Sequence, residues 1–233
     1  LYSPENRHLI LFCTADWKPM ERVDSYGHDI ETSWLMCEAA EANGDEEIIA
    51  RVNRQALDMV DAALAEGLDE NGAMMYERSE AGLSRRLSWW PQCETVIGCI
   101  NAWQLTGDRK YYDAAFRNWN FIKTHFVDNE NGGWHKSIKA DGTPGFEPKA
   151  STWNCPYHNS RMAFELMSRL VSPSVHTEVM AWSNITGVRL EGELIAFEST
   201  LRVGNPAGEM EVSGKEKQKR IRYSREGRCQ TAV

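Results

Sequence analysis

The sequence SYGHDIETSW, residues 25–34, decides how the rest of the chain is interpreted, because it joins a polar and aromatic cluster to the start of a helix. After this start, apolar residues recur at helical spacing until Asn43-Gly44 supplies a stop signal. His28 and Glu31 are three positions apart, so a helix that begins here carries both side chains on one face. The stretch predicts a helix whose first turn presents a base and a carboxylate to a common space.

Two further clusters of this kind open helices downstream, WWPQCE at residues 89–94 and WNCPYHN at residues 153–159. Intervals of 62 and 68 positions separate His28, Trp90 and His158. A near-constant interval indicates a repeated structural unit. The three clusters therefore predict three equivalent helices.

Plain helices lie between these decorated ones, since the segments after Gly44 and Gly107 begin with charged residues and carry a single apolar stripe. Such alternation is typical of an α/α toroid, in which inner helices point their N-termini at a central cavity and outer helices cover them. The pattern predicts a mainly α fold of helical hairpins with too few helices to close a ring. The predicted helices cover residues 29–42, 45–67, 90–106, 109–126 and 156–170.

The chain changes character after Val171. Apolar and polar residues alternate over residues 195–203 and a Gly- and Pro-rich turn follows, which predicts a short β-rich C-terminal segment. Seven Lys or Arg residues lie within residues 214–228. Because Glu216 and Glu226 interrupt them, this stretch is interpreted as a hairpin or a tail rather than a nucleic-acid patch.

The composition of the chain limits the kinds of partner that it is expected to bind. A net charge of −8 and a sequence pI near 5.3 argue against nucleic acid or an anionic membrane as the main partner, and a neutral small molecule fits better. The six cysteines show neither zinc-site spacing nor a disulfide scaffold, and no apolar run is long enough to cross a bilayer. We expect a monomeric, cytoplasmic protein.

His28 and His158 are the strongest candidates for chemistry. A histidine has an unperturbed pKa of about 6.5, so it can take and return a proton near neutral pH. Both are predicted in first turns of inner helices, where the helix dipole favours a developing enolate. The other histidines, His8, His125, His135 and His176, show no metal-ligand spacing.

Three other uses of the same residues remain open. Cys155 and His158 could form a nucleophile and base pair, although no oxyanion-hole motif accompanies them. Glu31 and Glu94 could be the two carboxylates of a glycoside hydrolase. In a non-catalytic module, the tryptophans would stack on sugars without turnover, or simply fill a core.

Three motifs carry a resemblance to a known family: SYGHDIETSW at residues 25–34, WWPQCETVIG at residues 89–98 and KASTWNCPYHNSR at residues 149–161. Together they resemble the cellobiose 2-epimerases of the N-acylglucosamine 2-epimerase superfamily, over roughly residues 6–170. The CPYHN segment favours the cellobiose branch.

The resemblance implies an (α/α)6 barrel that inverts C2 of the reducing-end glucose of a β-linked disaccharide such as cellobiose, through an enediolate and without a metal, nucleotide or other cofactor. His28 and His158 match the family's two proton-transferring histidines, and Glu31 matches its carboxylate. Trp153 and one of Trp89 and Trp90 match its sugar-stacking residues. Glu94 is expected beside the bound sugar.

The resemblance also sets the domain interpretation. Residues 1–170 are expected to be an incomplete α/α-barrel epimerase-like domain, because the family's N-terminal half, with further sugar-binding residues, has no counterpart in this sequence. Residues 171–233 are expected to be a β-rich segment of another kind. We expect the chain alone to be an inactive or weakly active fragment whose natural partner is the missing barrel half.

Overall fold

In the computed structural model the described residues are 1–170, together with the backbone of six strands beyond them. The chain divides into two compact units, Leu1–Leu166 and Met167–Val233. The first holds almost all of the helical structure and every predicted site residue.

Five α-helices form the main body of the protein. A five-residue π-helical segment, Ile122–Phe126, continues the fourth helix, so that the predicted helix to residue 126 changes its hydrogen bonding near its end. The first helix begins three residues earlier than predicted. The helices are α1 Tyr26–Asn43, α2 Glu46–Gly67, α3 Trp89–Thr106, α4 Arg109–Phe121 and α5 Tyr157–Leu170.

Inner and outer helices differ in how their surfaces are buried. Every residue of α3 from Trp89 to Ala102 is buried, whereas α2 and α4 bury one stripe each. Helix α3 packs against both α1 and α4, and α1 packs against α2. This is the hairpin arrangement that the alternation of decorated and plain helices predicted, and the mainly α fold is confirmed.

A glycine sets the close crossing of the two inner helices α1 and α3. A Cβ built on Gly98 would lie 2.7 Å from Cγ2 of Ile30 and 3.1 Å from its carbonyl oxygen. Real side chains do not approach so closely, so only glycine lets the helices meet at this separation. The N-termini of α1 and α3 are thereby held side by side.

The two kinds of helix also begin differently. Asp45 caps α2 by accepting hydrogen bonds from the backbone N–H groups of Glu47 and Ile48, and Asp108 caps α4 by accepting one from Lys110. Helices α1 and α3 begin after serines whose side chains make no cap hydrogen bond. The serines, Ser25 and Ser88, are both buried.

Short strands frame the inner helix N-termini. The first two strands pair with each other, the third, fourth and fifth form an antiparallel sheet in that order, and the sixth pairs with the seventh. The third leads into α1 and the sixth into α3. The strands are β1 Tyr2–Ser3, β2 His8–Leu9, β3 Asp24–Ser25, β4 Glu77–Ser79, β5 Gly82–Ser84, β6 Leu87–Ser88 and β7 Ser137–Ile138.

A buried ion pair joins β2 to α1. Nδ1 of His8 lies 2.7 Å from Oδ2 of Asp29, and Oδ1 of Asp29 accepts a hydrogen bond from the backbone N–H of Leu9. Burial opposes the charged form of His8, but the hydrogen bond with Asp29 and nearby carboxylates leave its pKa raised; burial raises the pKa of Asp29. Both pKa values are therefore shifted in the direction that favours the protonated form of each group.

The second unit contains the predicted β-rich segment. Four of its strands form an antiparallel sheet in the order β11–β10–β9–β8, and the last two pair as a separate hairpin. Of the predicted hairpin or tail at residues 214–228, only Gly214 and residues 220–223 are described, and residues 220–223 pair with residues 229–232. The strands are β8 Thr177–Ser183, β9 Val188–Ile195, β10 Glu198–Asn205, β11 Gly208–Gly214, β12 Arg220–Tyr223 and β13 Cys229–Ala232.

Among the helices of the described residues, none combines the length and the apolar character that a membrane span requires.

Candidate active site

A cavity of about 330 Å³ lies where the N-termini of α1, α3 and α5 meet. Six of the seven residues that the sequence nominated line it, and the seventh, Glu94, lies behind His158. The cavity wall consists of His28, Glu31, Tyr76, Arg86, Ser88, Trp89, Trp90, Lys136, Trp153 and His158.

His28 projects from the first turn of α1. Its Nδ1 lies 2.7 Å from Oγ of Ser25, which leaves Nε2 as the ring nitrogen available to a ligand. Its ring lies 4.8 Å from that of Trp90, between centroids. Gly27 makes this possible, because a Cβ there would lie 2.5 Å from the Trp90 ring.

His158 projects from the first turn of α5 and is held by a carboxylate. Its Nδ1 lies 2.7 Å from Oε1 of Glu94, which is fully buried on α3. An ionised carboxylate only accepts hydrogen bonds, so this contact places the hydrogen on Nδ1 and again leaves Nε2 for a ligand. The rings of His158 and Trp90 are 5.5 Å apart, so one indole borders both histidines.

Arg161 connects the charges of three inner helices. One nitrogen of its guanidinium donates to Oε1 of Glu94 at 2.7 Å and also to Oε1 of Glu31. The other oxygen of Glu94 accepts a hydrogen bond from Nε1 of Trp34. Burial alone would lower the pKa of Arg161, but the hydrogen bonds to Glu31 and Glu94 raise it above its usual range, which keeps the guanidinium charged.

The three tryptophans of the cavity have different environments. Trp89 and Trp90 are buried and form its inner wall, whereas the side chain of Trp153 is 84% exposed in the loop before α5. Flat aromatic surfaces can pack against the apolar faces of sugar rings. The arrangement gives the cavity a fixed aromatic base and an exposed aromatic edge.

Sequence reasoning missed five residues of this region, namely Arg161 and four residues of the cavity wall, Tyr76, Arg86, Ser88 and Lys136. Arg161 follows His158 by three positions, so the spacing argument that linked His28 to Glu31 could have found it. Tyr76, Arg86 and Lys136 come from loops and short strands, and no periodic signal marks them. The guanidinium of Arg86 lies 4.3 Å from the centre of the Tyr76 ring.

Two groups of side chains within the described residues have metal-ligand chemistry. Glu31, Glu94 and His158 offer ligand atoms within 4.8 Å of one another, and so do His8, Asp24 and Glu66. The carboxylates of each group already pair with arginine side chains. Arg161 donates to both carboxylates of the first, while in the second Arg22 hydrogen-bonds Asp24 and Arg78 lies 3.8 Å from Glu66.

The remaining histidines and Cys155 lie elsewhere. Cys155 is exposed and Nδ1 of His158 is directed to Glu94, an arrangement that does not favour a thiol and imidazole pair. His125 stacks on Phe121 at 4.1 Å, and His135 lies 3.9 Å from Asp128. His176 lies outside the described residues.

Taken together, the helical hairpins define a segment of an α/α barrel in which two histidines border one aromatic cavity. A profile of the N-acylglucosamine 2-epimerase (GlcNAc 2-epimerase) family matches residues 5–160. The chain belongs to the N-acylglucosamine 2-epimerase family.

Similar proteins place it near one branch of that family. It is 41% identical over 170 residues to the cellobiose 2-epimerase of Bacteroides fragilis, covering 72% of this chain and 43% of that protein. A sugar epimerase from a ruminal bacterium superposes with a TM-score of 0.70 at 34% identity, covering 73% and 44% of the two chains. The cellobiose 2-epimerase of Bacillus thermoamylovorans superposes with a TM-score of 0.68 at 32% identity, covering 72% and 43%.

These matches confirm the resemblance to cellobiose 2-epimerases and the partial α/α-barrel fold. The chain spans less than half the length of each of these three relatives.

Proposed function

We propose that this chain supplies one part of the active site of a sugar 2-epimerase, which inverts C2 of the reducing-end glucose of a β-linked disaccharide such as cellobiose. The supporting observation is that His28 and His158, from two different helices, border one Trp90 ring in one cavity. Inversion at a carbon that bears an acidic hydrogen needs a proton-transfer group on each face of a planar intermediate, and two histidines from separate helices can meet that demand.

In the proposed reaction the open-chain sugar lies between the two imidazoles. One neutral ring takes the C2 proton, and the electron pair of the broken C–H bond moves toward the C1 carbonyl to give an enediolate. The other ring, as imidazolium, returns a proton to C2 from the opposite face. Each histidine ends in the protonation state in which the other began, so charge is conserved.

The carboxylates then act on the histidines and the sugar in different ways. Glu94, buried and hydrogen-bonded on both oxygens, orients His158 by holding its Nδ1 edge. Glu31 lines the cavity and accepts from Arg161, so it contacts the sugar as a charged hydrogen-bond acceptor. Trp89, Trp90 and Trp153 supply the stacking surfaces.

The glycoside hydrolase alternative fits the geometry less well. A hydrolase needs one of Glu31 and Glu94 to protonate a leaving-group oxygen in the cavity. Glu94 does not line the cavity, and both carboxylates already accept hydrogen bonds from Arg161. Release of free glucose from cellobiose, abolished by Glu94→Gln, would support the hydrolase instead.

The test must work whether or not the chain is active alone. We would measure deuterium incorporation at C2 of cellobiose in heavy water, with the 233-residue chain and with a chimera in which residues 5–160 replace the matching segment of the Bacteroides fragilis enzyme. The proposal predicts C2 deuterium and a mannose-containing product from the chimera. A folded chimera that binds cellobiose without exchange would favour the sugar-binding alternative.

A further inference from the structure

Ser25 occupies the position from which a serine normally caps a helix, and it does not do so. It is the residue before α1, is 3% exposed and has extended backbone angles, which is the usual N-cap geometry. A capping hydroxyl would accept a hydrogen bond from the backbone N–H of the second or third helical residue. Here Oγ of Ser25 instead lies 2.7 Å from Nδ1 of the third residue's side chain, His28.

The surroundings of Ser25 fix its hydroxyl in this position. Ser25 pairs with Glu77 in the β3–β4 ladder, so its backbone is held by a sheet as well as by the helix. Neighbouring Asp24 is also buried and hydrogen-bonded to Arg22. The hydroxyl is therefore presented to His28 by a braced backbone rather than by a free loop.

We infer that Ser25 is a positioning residue for His28, whose hydroxyl holds the Nδ1 edge of the ring and leaves Nε2 to exchange protons in the cavity. The inference rests on the proposed epimerase function. It adds a second device to the one that orients His158, and the two devices differ chemically. A hydroxyl donates or accepts, whereas the Glu94 carboxylate only accepts.

This difference has a consequence for proton transfer. When the Ser25 hydroxyl donates to Nδ1, Nε2 of neutral His28 carries a hydrogen; when the hydroxyl accepts from Nδ1, Nε2 has a free lone pair. Rotation of one O–H bond accompanies the change, and the ring itself stays in place. His28 can thus present either form of Nε2 to the same point in the cavity.

The test compares two buried serines, Ser25 just before α1 and Ser33 within it. Ser25→Ala removes the contact with His28, while Ser33→Ala removes a buried hydroxyl that bonds only the helix carbonyl of Ile30 and lies outside the cavity wall. Ser25→Thr keeps a hydroxyl and should restore much of what Ser25→Ala loses. All three are made in the full chain and in the chimera.

The first readout needs no turnover. In ¹⁵N-histidine spectra of the chain, assigned with His28→Gln, Ser25→Ala should move the Nδ1 signal of His28 toward that of a solvent-exposed histidine, and Ser33→Ala should not. An unchanged His28 signal in Ser25→Ala overturns the inference. Because this readout is independent of activity, it stands even if wild-type chimera shows no C2 exchange, a result that would count against the proposed function.

The second readout is kinetic. Ser25→Ala should lower kcat for C2 epimerisation by roughly tenfold, the size expected for one lost hydrogen bond, with KM nearly unchanged and with a changed pH profile. Ser33→Ala should stay within about twofold of wild type, and Ser25→Thr should recover most of the loss. Equal kcat values for Ser25→Ala and Ser33→Ala would contradict a positioning role.

Discussion

The N-termini of the inner helices and those of the outer helices differ in the hydrogen bonds that their flanking side chains make. Asp45 and Asp108 accept backbone hydrogen bonds at the N-termini of α2 and α4, whereas the hydroxyl of Ser25 before α1 hydrogen-bonds a histidine. The inner starts also carry the aromatic residues and both cavity histidines. In this fold the N-termini of the outer helices contribute stability, whereas the N-termini of the inner helices carry the candidate catalytic residues. Variants at the two kinds of N-terminus test this difference.

The largest effect is expected from His158. In the chimera, His158→Gln should lower the rate of C2 epimerisation by about 10²–10⁴-fold, the usual contribution of a positioned proton-transfer group, since a glutamine cannot exchange protons. Thermal unfolding should hardly change. The matched control is His125→Gln outside the cavity, and a similar loss of rate there would break the distinction between inner and outer positions.

Removing Arg161 should test the stability of the inner region. Arg161→Gln leaves Glu31 and Glu94 close together without their shared cation, and we expect a loss of about 3 kcal/mol in the free energy of unfolding. Denaturant titration checks this, and an unfolding free energy equal to that of the wild type would contradict it. Arg161→Lys should retain part of the stability.

A substitution at Gly98 tests the close crossing of the two inner helices α1 and α3. Gly98→Ala places a methyl group against Ile30, and overpacking of this kind should cost about 2 kcal/mol. Gly107→Ala is unsuitable as a control because its φ is positive. Ala39→Gly, an exposed change on α1, should cost about 1 kcal/mol or less from helix propensity alone. Equal unfolding midpoints for Gly98→Ala and wild type would disprove the close crossing.

The helix caps give a smaller effect with a direct contrast. Asp45→Ala should cost about 1 kcal/mol of stability, because two backbone N–H groups lose their acceptor. It should leave C2 exchange by the chimera unchanged. Ser88→Ala, at the same position of an inner helix, removes no cap hydrogen bond and should cost less stability than Asp45→Ala. The reverse order would show that Ser88 is a cap after all.

The smallest effect is a pH dependence at His8. Because the pKa of His8 is raised in the folded protein, its contribution to stability should be complete below about pH 6.5, its unfolded value, and should disappear as pH rises through the folded pKa. The raised pKa of Asp29 acts in the same direction at lower pH. The stability difference between wild type and His8→Gln should therefore shrink from pH 6 to pH 9, and a growing difference would contradict the raised pKa.

Much of this organisation could be predicted from the sequence because it is periodic. The clusters around His28, Trp90 and His158 mark three helix starts at nearly equal intervals, and that alone identified the inner helices. The first helix begins earlier than expected because β3 leads directly into it at Tyr26. The sequence predicted that this helix exists, but its first residue depends on the pairing of the preceding strand.

The parts that could not be predicted depend on contacts between distant residues. Glu94 was expected beside the sugar, whereas in the structure it is fully buried behind His158. A sequence does not show which side of a fully buried helix faces a cavity. Tyr76, Arg86 and Lys136 reach the cavity through loops whose course is set by strand pairing such as Leu87 with Ile138.

The central claim, that His28 and His158 serve opposite faces of one sugar carbon, is tested most directly by hydrogen exchange in single variants. His28→Gln and His158→Gln chimeras are incubated in heavy water with each C2 epimer, and deuterium at C2 is followed without requiring epimerisation. We predict that each variant loses epimerisation but still exchanges the C2 hydrogen of one epimer. The epimer that His28→Gln exchanges should be the one that His158→Gln does not exchange. Exchange of the same epimer by both variants, or full epimerisation by either one, would contradict it.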